Sequence, residues 1–227
     1  MNSITEQVGA SIHSGDNLLV MCPSFMGDES RVCLELLTPA PPAEVYALSV
    51  LFTQSPGDHL DAWQRSVGSL PARSRIVSVD ADARSSTTER DADDPTVERV
   101  TSPQNLTRLG VRITDCLDEW GETAPDRQVS VCFQSVSTLL QYVELEQVFK
   151  FLDVLTERCR ASGAISHYHL DPQAHDDQTI ERLVGCSTGC SSTRTTSGRT
   201  GNPATGETTG SKRETRRSHR ENQIYCH

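Results

Sequence analysis

The sequence predicts an α/β fold, with a mainly parallel β-sheet between two layers of helices. Two observations support this prediction. Short apolar runs alternate along the chain with longer segments in which apolar residues recur at helical spacing. The runs are apolar without polar alternation, which is typical of strands buried on both faces. With 227 residues, 35% of them apolar, the chain can form the core of one or at most two domains.

The predicted strands are short apolar runs flanked by turn-forming or polar residues. They cover 17–22, 44–52, 75–79, 128–133 and 164–170. Because a helical segment separates most of the strands, crossover connections, which are right-handed as a rule, would make the strands parallel. After residue 185, where a final strand is expected, the apolar pattern stops. The last strand is therefore predicted to be missing.

Helices are predicted wherever apolar residues recur at helical spacing after a polar start. Two early helices are centred on Val32–Leu37 and Leu60–Val67. The later ones cover 105–119, 137–142, 145–160 and 176–184. Residues 80–99 are highly charged, which predicts a long solvated loop.

We divide the chain into an N-terminal extension (1–14), an α/β domain (15–185) and a tail (186–227). The tail is rich in Ser, Thr, Gly and Arg, which predicts disorder. Read one nucleotide earlier, its first codons would encode the apolar run of a terminal strand. We therefore favour a reading-frame shift near Gly185, which would leave the tail without an evolved function, over an evolved flexible tail.

Charge is distributed unevenly within the formal total of −10. The tail has seven basic and three acidic residues, a net charge of +4, which leaves −14 for residues 1–185. Such an acidic body disfavours binding to nucleic acid, so only the tail could bind nucleic acid. Because acidic, lysine-poor chains suit high salt, we favour a halophile protein over an acidic protein of a mesophile.

The sequence contains no apolar stretch near the ~20 residues that a membrane span requires, and no basic-then-apolar leader. We expect a cytoplasmic protein without a membrane partner. Reduced cysteines fit that location. Five of the eight cysteines lie in apolar patterns, where free thiols pack as small hydrophobes: Cys22, Cys33, Cys116, Cys132 and Cys159. Cys186 and Cys190 have no second pair at zinc-finger spacing, so no metal is predicted.

The turn after the first strand occupies the position of a phosphate-binding loop but departs from its pattern. Gly27 is retained, whereas Asp28 stands in place of the lysine and Glu29 in place of the hydroxyl residue. We favour an ordinary strand-to-helix turn, with both acids at a helix N-terminus. If a nucleotide did bind, its contacts would come from Ser24, Gly27, Asp28, Ser30 and Gln134.

A second candidate cluster lies around the last predicted strand. His167 and His169 alternate on one face of it, and Asp171 and His175 follow at its carboxyl end, where α/β sheets bind ligands. These four residues are a candidate metal or anion site. The favoured alternative places His169 in the core and assigns Asp171 and Asp176 to a turn and a helix cap.

The segment 128–184 resembles RecA/KaiC-type ATPase domains, in particular a degenerate, uncharacterised branch common in halophilic archaea. Ser135 and Leu139 match the Asp-Ser strand end and the Ser-x-Leu helix of that family, whereas Gln134 replaces the aspartate. The resemblance extends over roughly 15–185. It implies a RecA-like core, but not ATPase activity, because the lysine and the aspartate that perform the chemistry are absent.

These observations favour a non-catalytic RecA/KaiC-like domain that acts through protein contacts in signalling or regulation. We expect no catalytic residues and no cofactor, including ATP and magnesium. The partner would be another protein or a second copy of the chain. One alternative is an atypical ATP-binding or ATPase domain. Another is a nucleic-acid-associated regulator that uses the basic tail.

Overall fold

The strands form one parallel sheet. The computed structural model describes residues 12–23, 29–80, 96–187 and 223–225. Its strands are β1 (Asn17–Met21), β2 (Val45–Leu51), β3 (Arg73–Val79), β4 (Val97–Val100), β5 (Gln128–Gln134), β6 (Ile165–Leu170) and β7 (Gln223–Tyr225). Their spatial order is β4-β3-β2-β5-β6-β1-β7, and every neighbouring pair is parallel. The predicted α/β class with a parallel sheet is confirmed.

Helices cover both faces of the sheet, as the sequence predicts. They are α1 (Glu29–Leu37), α2 (Pro56–Val67), α3 (Leu106–Thr123), α4 (Val136–Leu139), α5 (Leu145–Ala161) and α6 (Asp177–Ser187). Short 3-10 turns, Pro42–Glu44 and Pro172–Ala174, precede β2 and follow β6. No helix within the described ranges combines the length and the apolar character that a bilayer-spanning segment requires.

The two faces of the sheet have different cores. On one face, α3, α5 and α6 bury a large cluster that includes Trp120, Phe133 and Tyr168. On the other face, α1 and α2 pack on the sheet through smaller clusters that contain Trp63 and Leu37. The structure is therefore three-layered, helix on sheet on helix, as expected for a RecA-like arrangement.

Two strands were not predicted from the sequence. β4 occupies the end of the segment predicted as a loop, because backbone pairing with β3 and the burial of Val100 compensate for the charged Glu98 and Arg99. The side chain of Glu98, on this edge strand, pairs with Arg75 and Arg112. β7 pairs with β1 at the opposite edge, so a tail segment takes the position of the strand predicted to be missing. Most of the tail and of the N-terminal extension, and residues 81–95 of the predicted loop, lie outside the described residues.

Gly163 connects α5 to β6 in a left-handed conformation, with φ of 69°. A Cβ atom there would lie 2.8 Å from Ser14 Oγ, which donates a hydrogen bond of 2.7 Å to the Gly163 carbonyl. Gly163→Ala should therefore incur the left-handed backbone cost of ~1–2 kcal/mol and also lose this hydrogen bond, worth ~0.5–1.5 kcal/mol. Urea denaturation measures the free energy of unfolding.

Gly68→Ala is the matched control. Gly68 also has a left-handed φ, of 85°, but its added Cβ would meet open space. Gly68→Ala should lower the free energy of unfolding only by the cost of the left-handed backbone. Equal losses for the two variants would contradict the contact between Ser14 and Gly163.

Candidate functional site

Two histidines of β6 point into the layer beneath α1. A strand projects alternate side chains to the same face, so His167 and His169 lie on one side of the sheet. Both are buried. Their rings are edge to face, with centroids 5.3 Å apart. Imidazoles buried together in this way need polar partners or a ligand.

Two cysteines complete the cluster from neighbouring elements. Cys132 of β5 is directly opposite His167 in the parallel register. Cys33 belongs to α1, which packs over this part of the sheet, and its Sγ lies 2.7 Å from Cys132 Sγ. One ligand atom from each of the four side chains lies within 4.8 Å of all the others. All four residues are buried. We call Cys33, Cys132, His167 and His169 the Cys-His cluster.

Burial and the other members of the Cys-His cluster shift the pKa values of Cys33 and His167. Burial raises the pKa of Cys33, but contacts with Cys132, His167 and His169 outweigh it, so this pKa lies well below its usual 9.0. Burial lowers the pKa of His167, against the opposing effect of Cys33. Neither ring nitrogen of His167 has hydrogen-bond geometry to a described residue. The ring nevertheless lies close enough to Cys33 to influence its thiol.

The other buried thiols provide a contrast. Burial raises the pKa of Cys116 to about 12 and that of Cys159 to about 11. With Cys22, these residues behave as the sequence predicts, as buried cysteines packed in hydrophobic clusters. Cys33 and Cys132 are also buried in a hydrophobic cluster, but the sequence assigned them only to packing. Their contact with two imidazoles was missed.

A third histidine lies beside the Cys-His cluster without belonging to it. His59 of α2 is buried, and its Nε2 is 2.9 Å from Ser49 Oγ. Burial lowers the pKa of His59, and the charge of Cys33 opposes this effect. Because Ser49 satisfies its Nε2, this histidine is a neighbour of the cluster rather than a fifth donor.

The structure separates Asp171 and His175 from the histidines of β6. Ser137 Oγ accepts a hydrogen bond of 2.9 Å from the Asp171 backbone N–H and lies 2.8 Å from His175 Nε2. The Asp171 carboxylate caps the following turn, and Asp176 caps α6. His169 is buried, so the turn, the cap and the core position of the alternative interpretation are all observed.

Ser137 and His175 also border a cavity at the carboxyl ends of β5 and β6. Its volume is about 440 Å³, and its lining includes Tyr142, Glu144 and Thr179. Such a position, at the carboxyl edge of a parallel sheet, is where α/β proteins commonly bind small molecules. The cavity is separate from the Cys-His cluster, since the two have no lining residue in common.

The structure describes only part of the predicted nucleotide-contacting set. Ser24, Gly27 and Asp28 lie outside the described residues. Ser30 is in the first turn of α1, and Gln134 ends β5, where its backbone carbonyl accepts a hydrogen bond from Phe52. The prediction of a degenerate phosphate loop therefore stays a prediction.

Comparison with known proteins places this architecture in a family. The chain belongs to DUF7504, a family of unknown function whose model matches residues 15–185. No curated protein gives a significant match. The buried Cys-His cluster lies wholly inside the matched DUF7504 region.

The surroundings of His175 predict how its contribution to stability depends on pH. Burial lowers the pKa of His175 below 6.5, while the carboxylates of Asp171 and Asp176 act in the opposite direction. Above pH 6.5, neutral His175 should therefore make its full contribution to the free energy of unfolding. That contribution should fall as the pH drops below 6.5, because protonation is less favourable in the folded chain than in the unfolded chain. Asp171→Asn removes one carboxylate but can still cap the turn, so it should lower the pKa of His175 further.

NMR titration of the His175 ring measures this shift. Asp61→Asn is the control, because Asp61 is an exposed carboxylate of α2, on the opposite face of the sheet. A His175 ring that titrates above 6.5, or a pKa that rises in Asp171→Asn, would contradict the assigned contacts.

Proposed function

We propose that this protein is a non-catalytic member of the RecA/KaiC-like ATPases, of haloarchaeal type, that acts in the cytoplasm in signalling or regulation, through contacts with another protein or a second copy of the chain. The proposal rests mainly on the residue that ends β5. Gln134 stands where the resemblance calls for a metal-binding aspartate. A neutral amide cannot replace a carboxylate in holding magnesium against a triphosphate.

The segment after β1 supports the same conclusion. In place of the lysine and hydroxyl residue of a phosphate loop, the sequence has Asp28 and Glu29. Phosphoryl transfer depends on positive charge placed around the phosphates, so two acids at these positions oppose it.

Exposed apolar residues on one helical layer support a role in protein contacts. Val154 of α5 is 70% exposed and Val111 of α3 is 48% exposed. The two helices lie side by side, since an ion pair joins Asp118 to Arg158 and Gly110 faces the ring of Phe151. Single exposed apolar side chains are common on proteins, so these two mark this layer only as a candidate contact surface, which the crosslinking experiment below tests.

The absence of ATPase chemistry is tested with purified protein in molar KCl, magnesium and ATP. We expect turnover far below the ~1 s⁻¹ at the low end for enzymes. Asp28→Lys should tighten ATP binding, because a like-charge interaction of about 4 kcal/mol at ~4 Å and an effective dielectric of ~20 becomes attractive. It should not restore turnover, since Gln134 is unchanged. Wild-type turnover near ~1 s⁻¹ that Gly27→Ala abolishes would contradict the proposal.

The contact surface is tested by a photo-crosslinking amino acid placed at Val154 in cells. We expect one discrete adduct, identified by mass spectrometry as either one other protein or a second copy of the chain. Gln64, an exposed residue of α2 on the opposite face, is the control and should give none. No adduct at Val154, or the same adducts at both positions, would contradict this surface as the site of contact.

A further inference from the structure

The Cys-His cluster brings together side chains that the sequence keeps far apart. Cys33 comes from α1, Cys132 from β5, and His167 and His169 from β6. One ligand atom of each lies within 4.8 Å of the other three, and each residue is at least nine-tenths buried. Two thiols and two imidazoles that meet from distant parts of the chain indicate a metal site far more strongly than a lone cysteine or an exposed acidic group does.

This donor set suits one class of metal ion. Two cysteine sulfurs and two histidine nitrogens form the tetrahedral environment that structural zinc sites use, with Zn–S bonds of about 2.3 Å and Zn–N bonds of about 2.0–2.1 Å. Hard cations such as magnesium and calcium prefer oxygen donors, and the cluster has none. Four protein ligands fill a tetrahedral shell, so no position is left for a reacting water.

The buried polar atoms also favour a bound cation. Both ring nitrogens of His167 are buried, and neither has a hydrogen bond of good geometry; the ring interacts with the thiol of Cys33, a weak hydrogen-bonding group. Leaving a buried polar group without a partner costs ~1–3 kcal/mol. Coordination would use the lone pair of one ring nitrogen. Zn²⁺ would replace the two thiol protons, which leave to solvent, so that two thiolates balance its charge within the core.

We propose that Cys33, Cys132, His167 and His169 bind one zinc ion in a closed structural site that fixes α1 to β5 and β6. A tetrahedral ion holds two sulfur ligands about 3.8 Å apart. The sulfurs of Cys33 and Cys132, now 2.7 Å apart, therefore separate by about 1 Å on binding. The other ligand atoms, which lie within 4.8 Å of one another, would move onto the ion, because bonds of about 2.0–2.3 Å place tetrahedral ligands about 3.3–3.8 Å apart.

Burial of every ligand determines when the ion enters. Zinc cannot reach the site from solvent without displacing α1 or the strands, so it binds as the chain folds. The experiment therefore unfolds the full chain in denaturant with a chelator and refolds it in the presence of Zn²⁺ alone. Elemental analysis after gel filtration gives the zinc content of the chain.

We expect one tightly bound zinc per wild-type chain. Cys33→Ser and Cys132→Ser should each weaken zinc binding by more than about 100-fold, since second-shell changes alone cost roughly 10–100-fold. Cys116→Ser is the matched control, because Cys116 is an equally buried thiol in the layer on the opposite face. It should retain one zinc per folded chain.

Cobalt provides a readout that does not depend on the variants folding. Wild-type chain refolded with Co²⁺ should show the intense ligand-field absorption of tetrahedral cobalt with thiolate-to-metal charge transfer. A wild-type chain that refolds without zinc, an octahedral cobalt spectrum, or a Cys33–Cys132 disulfide found by mass spectrometry in chain kept under reducing conditions would overturn the proposal. So would full zinc retention in the folded Cys33 and Cys132 variants.

Discussion

The crossover from β1 to β2 is the constraint on which the rest of the structure depends. In the sheet, β6 and β5 lie between these two strands, so the chain must pass over both before it pairs again. Right-handed connection places α1 on the face opposite α3, α5 and α6. As a result, Cys33 lies above Cys132, and α1 closes over the histidines of β6.

This topology also explains why the two faces of the sheet bury different kinds of residue. The face with three helices has the large aromatic core and depends on apolar burial. The layer beneath α1 and α2 contains the three buried histidines of the described residues, His59, His167 and His169. In RecA-type ATPases, the relatives that we propose, the start of the helix after the first strand contacts a nucleotide phosphate. On our proposals, α1 is instead held by a metal bound to its fifth residue, Cys33.

The fold could be predicted from the sequence further than the candidate site could. Continuous apolar runs identified β1, β2, β3, β5 and β6, since burial on both faces leaves a local signal. β4 was missed because an edge strand needs few apolar residues. The pairing of His167 with His169 followed from strand alternation. Cys33 and Cys132 could not be joined to them, because strand order, which no local pattern encodes, decides which buried residues meet.

X-ray absorption at the zinc edge on the refolded full chain tests the central claim most directly, because it reports ligand type and distance around the metal. Our account predicts a first shell of two sulfurs at about 2.3 Å and two nitrogens at about 2.0–2.1 Å, with the scattering pattern of imidazole. A shell of only oxygen and nitrogen neighbours, or a folded chain without a zinc edge, would contradict it.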